Sequence, residues 1–161
     1  MAVHKLILDD FVDDEYYMLI AIHCAIDGYR IAYLLNSKLG IKLKRTDIDI
    51  DAYSNKTSFS VFKWYDNSQQ ITWSLISNVC RKETEVNNSE QSLFSKDQKT
   101  IKTFHLIPEK KQVNFFLKIE IEQNQNKEKR IIDAIHSIPQ IATAYTIDLS
   151  LLKSKDNLIF N

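Results

Sequence analysis

The chain has 161 residues, 44% of them hydrophobic and 26% charged, enough to build one globular domain with a proper core and too apolar for a disordered chain. Twenty-one Lys and Arg balance twenty-one Asp and Glu, so no global field draws a polyanion or a membrane surface, and such binding needs a local patch. Two cysteines, Cys24 and Cys80, read as buried thiols of a reducing compartment. The first residues lack the long apolar core of a signal peptide, and no apolar stretch reaches membrane-spanning length, so the expected location is the cytoplasm.

Val3 to Leu8 is a short strand candidate, followed by the acidic stretch Asp9, Asp10, Asp13, Asp14 and Glu15. Tyr16 to Cys24 is continuously apolar and reads as a buried strand, the competing reading being one helix from about Asp14 to Leu39. A helix is predicted from Gly28 to Leu39. Asp27 is placed to accept from its first amides, Ile31, Leu34, Leu35 and Leu39 share a face, and Gly40 is the left-handed stop. Ile41 to Asp51 is strand-like with a parity break near Arg45 and Thr46. Thr57 to Tyr65 and Ile71 to Val79 form a predicted hairpin around residues 66–70. Residues 81–100 read as a long polar loop.

From Val113 the apolar residues take every second position through Phe115, Leu117, Ile119 and Ile121, which describes a strand with one buried face. Phe104 to Ile107 precedes it, and a hairpin with its tip at Pro108 to Gln112 is expected. A second helix covers 127–137 and ends at Pro139, Ile141 to Leu149 alternates as a strand, and Leu158 to Phe160 is a short final one. The sum is an α+β fold: a mainly antiparallel sheet of about six to seven strands, with two amphipathic helices packed on one face. The second helix and the strand after it resemble the end of ferredoxin-like folds.

Chemistry is sparse. Asp47, Asp49 and Asp51 could align carboxylates for a hard cation, but they equally describe the wet face of a strand, as the Asp9–Glu15 group describes a solvated turn. His4, His23, His105 and His136 lack zinc spacing, and His23 and Cys24, as neighbours on a strand, face opposite ways. Two glycines cannot build a phosphate loop. No catalytic residue, metal ligand or cofactor is therefore assigned. Phe62, Trp64 and Phe116 lie off parity and form a candidate exposed contact patch, with Tyr29, Arg30 and Tyr33 off the helix stripe. Lys42, Lys44, Arg45, Lys153 and Lys155 beside sheet aromatics are the alternative, an RNA-binding face.

Ile107-Pro108-Glu109 followed by Val113-Asn114-Phe115 resembles the bacterial IPExxVDY family. His4-Lys5-Leu6, Asp13 to Tyr17, Tyr29-Arg30 through Asn36, and Leu152 to Phe160 extend the resemblance over nearly the whole chain. Asn114 and Phe115 stand where that motif has Asp and Tyr, and three residues separate Glu109 from Val113 where the motif has two. The changes remove an ionisable carboxyl and a hydroxyl, which argues against catalysis by this motif. The resemblance implies a small cytoplasmic protein, adds Glu109 to the candidate contact residues, and brings no activity with it. The expected function is a non-catalytic binding or adaptor module that contacts a protein partner or a second copy of itself, with an RNA-binding module as the alternative and a small metal-dependent enzyme as the third reading.

Overall fold

The computed structural model describes residues 16–54, 57–85, 99–121 and 125–160. In chain order they form β1 (Met18–Cys24), α1 (Gly28–Leu39), β2 (Lys44–Arg45), β3 (Ile50–Ala52), β4 (Thr57–Phe59), β5 (Val61–Asp66) and β6 (Ile71–Ser77). Then come β7 (Val79–Glu85), β8 (Lys99–His105), β9 (Phe115–Glu120), α2 (Gln125–His136) and β10 (Ile141–Thr146). Six strands make one sheet in the order β10-β1-β9-β6-β5-β2, with every neighbouring pair antiparallel. The pairs β3-β4 and β7-β8 are separate small sheets. The fold is α+β, as the sequence implies.

Alternating directions leave β1 parallel to β2, and β9 parallel to β10. A parallel connection needs a crossover, and α1 and α2 supply the two. Because β1 lies between β9 and β10, the second crossover is a split βαβ unit, the ferredoxin-like ending read from the sequence. Both helices lie on one face, where Ile31, Leu35 and Ile135 pack on Met18, Ile20, Leu75, Phe115 and Leu117.

The limits of α1 follow local chemistry. Asp27 is extended and its carbonyl accepts from the Arg30 and Ile31 amides, at 3.0 and 3.1 Å. Its carboxylate makes no capping bond, contrary to expectation. Gly40 closes the helix at φ 66°, where a side chain would be strained, and its amide donates to Asn36 O. Gly28 is closely packed: a Cβ there would meet the Phe62 ring at 3.1 Å, so the ring would have to give by a few tenths of an ångström. β1 is buried on both sides, which explains its unbroken apolar run and removes the one-helix reading.

The opposite face of the sheet is covered as well. Leu19, Ala21, Val61, Ile76 and Phe116 pack under Phe59, Leu106, Ile107, Val113, Leu152 and Leu158. Phe116 is 0% and Phe62 8% exposed, so neither belongs to a surface patch, and Trp64 is half-buried against the helix-side core. The parity argument fails because it allows one buried face, whereas this sheet has two. Lys118 lies on that second face, 3% exposed. Its Nζ donates to Leu158 O at 3.1 Å, lies 3.6 Å from the Glu120 carboxylate, and sits 4.7 Å from the centre of the Tyr17 ring. A buried ammonium needs such partners to offset its desolvation.

Five features differ from expectation. The chain from Ile41 to Asp51 is two short strands in different sheets, joined through Thr46, whose amide donates to Val61 O. The runs Thr57–Tyr65 and Ile71–Val79 each break, at Ser60 and Asn78, so that β4 and β7 leave the main sheet. Residues 81–85 and 99–100 are strand rather than loop, because β7 pairs with β8. That pairing also replaces the expected 104–122 hairpin: β9 pairs with β1 and β6 instead. The end of the chain forms a 3-10 turn over Lys155–Leu158 and no strand.

Candidate functional site

The residues from Ile107 to Asn114 are organised by Asn78, a side chain that the sequence reading did not single out. It is 0% exposed at the break between β6 and β7. Its Nδ2 donates to Lys110 O at 2.8 Å and to Val113 O at 2.9 Å, and its Oδ1 accepts from the Ile107 amide at 2.8 Å. The turn it holds is a 3-10 helix, Pro108–Lys110, with proline at the first position, where no amide donor is needed. Ile107 and Val113 are thereby buried. Asn114 then extends the β1–β9 ladder: its amide donates to Ile22 O, and its Oδ1 accepts from the Cys24 amide at 3.0 Å.

Glu109 ties this turn to the C-terminal segment. Its Oε1 accepts from the Ser154 amide at 2.8 Å and its Oε2 from the Ser154 hydroxyl at 2.9 Å. Burial pushes the carboxyl up, but the Ser154 bonds, its own amide and the Lys153 amide outweigh it and leave the group below its usual value. A depressed folded pKa stabilises the fold above the unfolded value, near 4.3, and the benefit is lost as pH falls through the folded value. Glu109→Ala should therefore cost about 1 kcal/mol at pH 7, reduced from a buried case by solvent, and close to nothing at acid pH. Urea melts at the two pH values check this; an equal loss at both would exclude the linkage.

Next to this junction, a groove of about 810 Å³ crosses the ends of the strands. Cys24, Asp27 and Gly28 border it between β1 and α1, with Arg81 from β7, Asn114 before β9 and Gln140 before β10. Some of its polar side chains are engaged. Asn114 holds Cys24, and His23 Nε2 lies 3.1 Å from Tyr145 Oη. Burial pushes the Cys24 thiol up, against the opposing Ile26 amide, so it stays protonated at neutral pH and is a poor nucleophile. Cys24 belongs to the helix-side core while His23 turns to Tyr145, so the two form no Cys–His pair.

The remaining candidates are placed as follows. Tyr29, Arg30 and Tyr33 are exposed on α1, the tyrosines 65% and 73%, one helical turn apart and adjoining the groove at Gly28. Lys42 and Lys44 are exposed at the β2 edge. Arg45 pairs with Asp49, whose buried Oδ1 it meets at 2.5 Å as an ion pair without hydrogen-bond alignment, and it lies over the Phe62 ring. Lys153 and Lys155 lie in the C-terminal segment beside the Glu109 contact, so the five basic residues come from two separate elements. Asp49 also accepts from Ser58 Oγ, while Asp47 and Asp51 border different recesses, so the three carboxylates do not converge. His136 contacts the Ala144 backbone on β10. His4 and the Asp9–Glu15 group lie outside the described residues.

Among the described residues no three His, Cys, Asp or Glu side chains are placed to share a metal ion, and no helix is long and apolar enough to cross a membrane. Sequence reasoning missed Asn78, Arg81 and the β7–β8 ribbon. The available signals were a lone Asn inside the apolar run from Ile71 to Cys80, and β-branched residues spaced among the charges of 81–85 and 99–103. No protein-family model matches the chain, and no curated protein or solved structure matches it either.

Proposed function

We propose that the protein is a non-catalytic cytoplasmic binding module of the IPExxVDY type, whose partner is a protein seated in the groove and on the Tyr29–Tyr33 ridge. The observation that carries this reading is the continuity of the two: an open groove ending at Gly28, where a helix face with two exposed tyrosines and Arg30 begins. Tyrosine and arginine are the residues that anchor interfaces most often, because they bury large area at small entropic cost. The signature residues Ile107, Glu109, Val113 and Asn114 act as scaffold, holding the groove wall and the C-terminal segment.

The test is a tagged pull-down from native lysate, split into nuclease-treated and untreated halves, with wild type, Tyr33→Ala and Ala142→Arg. Ala142 is exposed and borders the groove, so an arginine there obstructs it without entering the core. A protein retained in both halves by wild type and reduced at least about tenfold by each variant supports the reading. A partner held equally by all three would place binding elsewhere.

A further inference from the structure

β7 and β8 run through seven register pairs without a bulge, from Val79–His105 to Glu85–Lys99, and among the described residues they pair only with each other. A two-stranded ribbon is marginally stable in water, and a third strand or a packed face stabilises it. The ladder shows which backbone groups are left over. The Leu106 amide donates to Asn78 O at 3.0 Å, one step before the first register pair, so Asn78 and Leu106 are a hydrogen-bonded pair. Such pairs alternate along an antiparallel ladder. Cys80–Phe104, Lys82–Lys102 and Thr84–Thr100 therefore bond within the ribbon, and the amides and carbonyls of Lys99, Ile101 and Thr103 point out along the free side of β8.

That edge is open where others are closed. The main sheet ends on one side at β2, two residues long and both charged, and on the other at β10, where His136 Nε2 lies 2.8 Å from Ala144 O. Short charged strands and covering side chains are the usual means of blunting an edge. At the base of β8, Tyr53 does the same. Its hydroxyl donates to His105 O at 2.6 Å, and its ring packs at 5.6 Å on Phe104, the ring that Lys102 Nζ approaches to 5.1 Å. From Thr103 to Lys99 no described strand pairs with the outer side of β8, and Ile101, 63% exposed, stands in the middle of it.

We propose that this edge binds a second copy of the chain, β8 pairing antiparallel with its counterpart about a two-fold axis at Ile101, so that two ribbons become one four-stranded sheet. In that register Ile101 meets Ile101 of the second copy, Lys99 faces Thr103, and Thr100 faces Lys102. The outward amides and carbonyls of Lys99, Ile101 and Thr103 all find partners, and no charge faces a like charge. The β7 edge does not fit a second copy in this way. Every residue from Arg81 to Glu83 is charged, so a two-fold axis at any of them sets a charge against its own copy. The dimer forms whatever occupies the groove. Because Arg81 of the same ribbon borders the groove, it also joins two grooves in one particle, and a partner carrying two binding segments gains avidity.

Sedimentation equilibrium of the purified full chain between about 1 and 500 μM tests this. The expected result is a mass that rises from monomer towards dimer across that range. Ile101→Lys sets ammonium against ammonium at the axis and should weaken the dimer at least about tenfold. Thr103→Glu puts a carboxylate opposite Lys99 of the second copy at both ends of the contact and should tighten the dimer about 2- to 30-fold, an effect that salt diminishes. Thr103→Lys should weaken it by a similar factor, and Lys44→Glu, on the β2 edge, should stay within about twofold of wild type. Circular dichroism melts confirm that each variant is folded. Thr103 is exposed, so its two variants keep the test decisive even where Ile101→Lys disturbs the ribbon. A wild type that stays monomeric throughout overturns the proposal. A dimer that the Ile101 variant leaves unaltered, or that both Thr103 variants shift in the same direction, overturns it too, since the contact would then lie elsewhere.

Discussion

Replacing Asn78 by alanine should lower stability by about 3–5 kcal/mol, because the Lys110 and Val113 carbonyls and the Ile107 amide each lose a partner. Two of these bonds belong to groups with little access to water, so the desolvation cost stays after the partner has gone. For a chain of this length the melting temperature should fall by roughly 10–15 °C. Asn78→Asp is the sharper control. Its carboxylate keeps the acceptor for Ile107 but turns an anion toward two carbonyl oxygens. Burial and those carbonyls raise its folded pKa, so the charged form is penalised above the unfolded value near 3.9, and part of the loss is recovered as pH is lowered. Calorimetry of both variants decides the matter. A loss below about 1 kcal/mol for Asn78→Ala would mean that the turn at 107–113 stands without it.

Phe116→Ala should cost about 3–5 kcal/mol, the usual range for emptying a ring-sized site in a packed core. Tyr33→Ala, on the open face of α1, should change stability by no more than about 0.5 kcal/mol. Chemical denaturation of the two variants side by side measures the contrast. A small loss at Phe116 would return that ring to the surface, where its parity alone would put it. The two substitutions also separate the effects that matter for binding: a partner lost with Tyr33→Ala at full stability reports contact, whereas one lost with Phe116→Ala reports unfolding.

The features legible in the sequence were those decided within a dozen residues. The length of α1, its left-handed stop at Gly40, the strand character of β9 and the class α+β follow from local periodicity and from the conformational limits of glycine and proline, while β1, an unbroken apolar run, read as a strand because a better helix begins directly after it. The exposed ridge of Tyr29, Arg30 and Tyr33 was legible for the same reason: a helix face can be read from spacing alone.

Strand partners and the number of covered faces could not be read this way. The run from Phe104 looked like half of a hairpin with β9, yet β8 pairs with β7, and the residues from Leu106 onward return to cover the sheet. Phe62 and Phe116 looked exposed because alternation states which side a residue faces, not whether that side is wet. The groove, the Asn78 junction and the placement of Tyr53 beside Lys102 join residues tens of positions apart. Periodicity is a property of neighbours along the chain, so it determined the elements of this protein. Burial and hydrogen bonding depend on neighbours in space, so only the tertiary structure decided which surfaces remain free to bind.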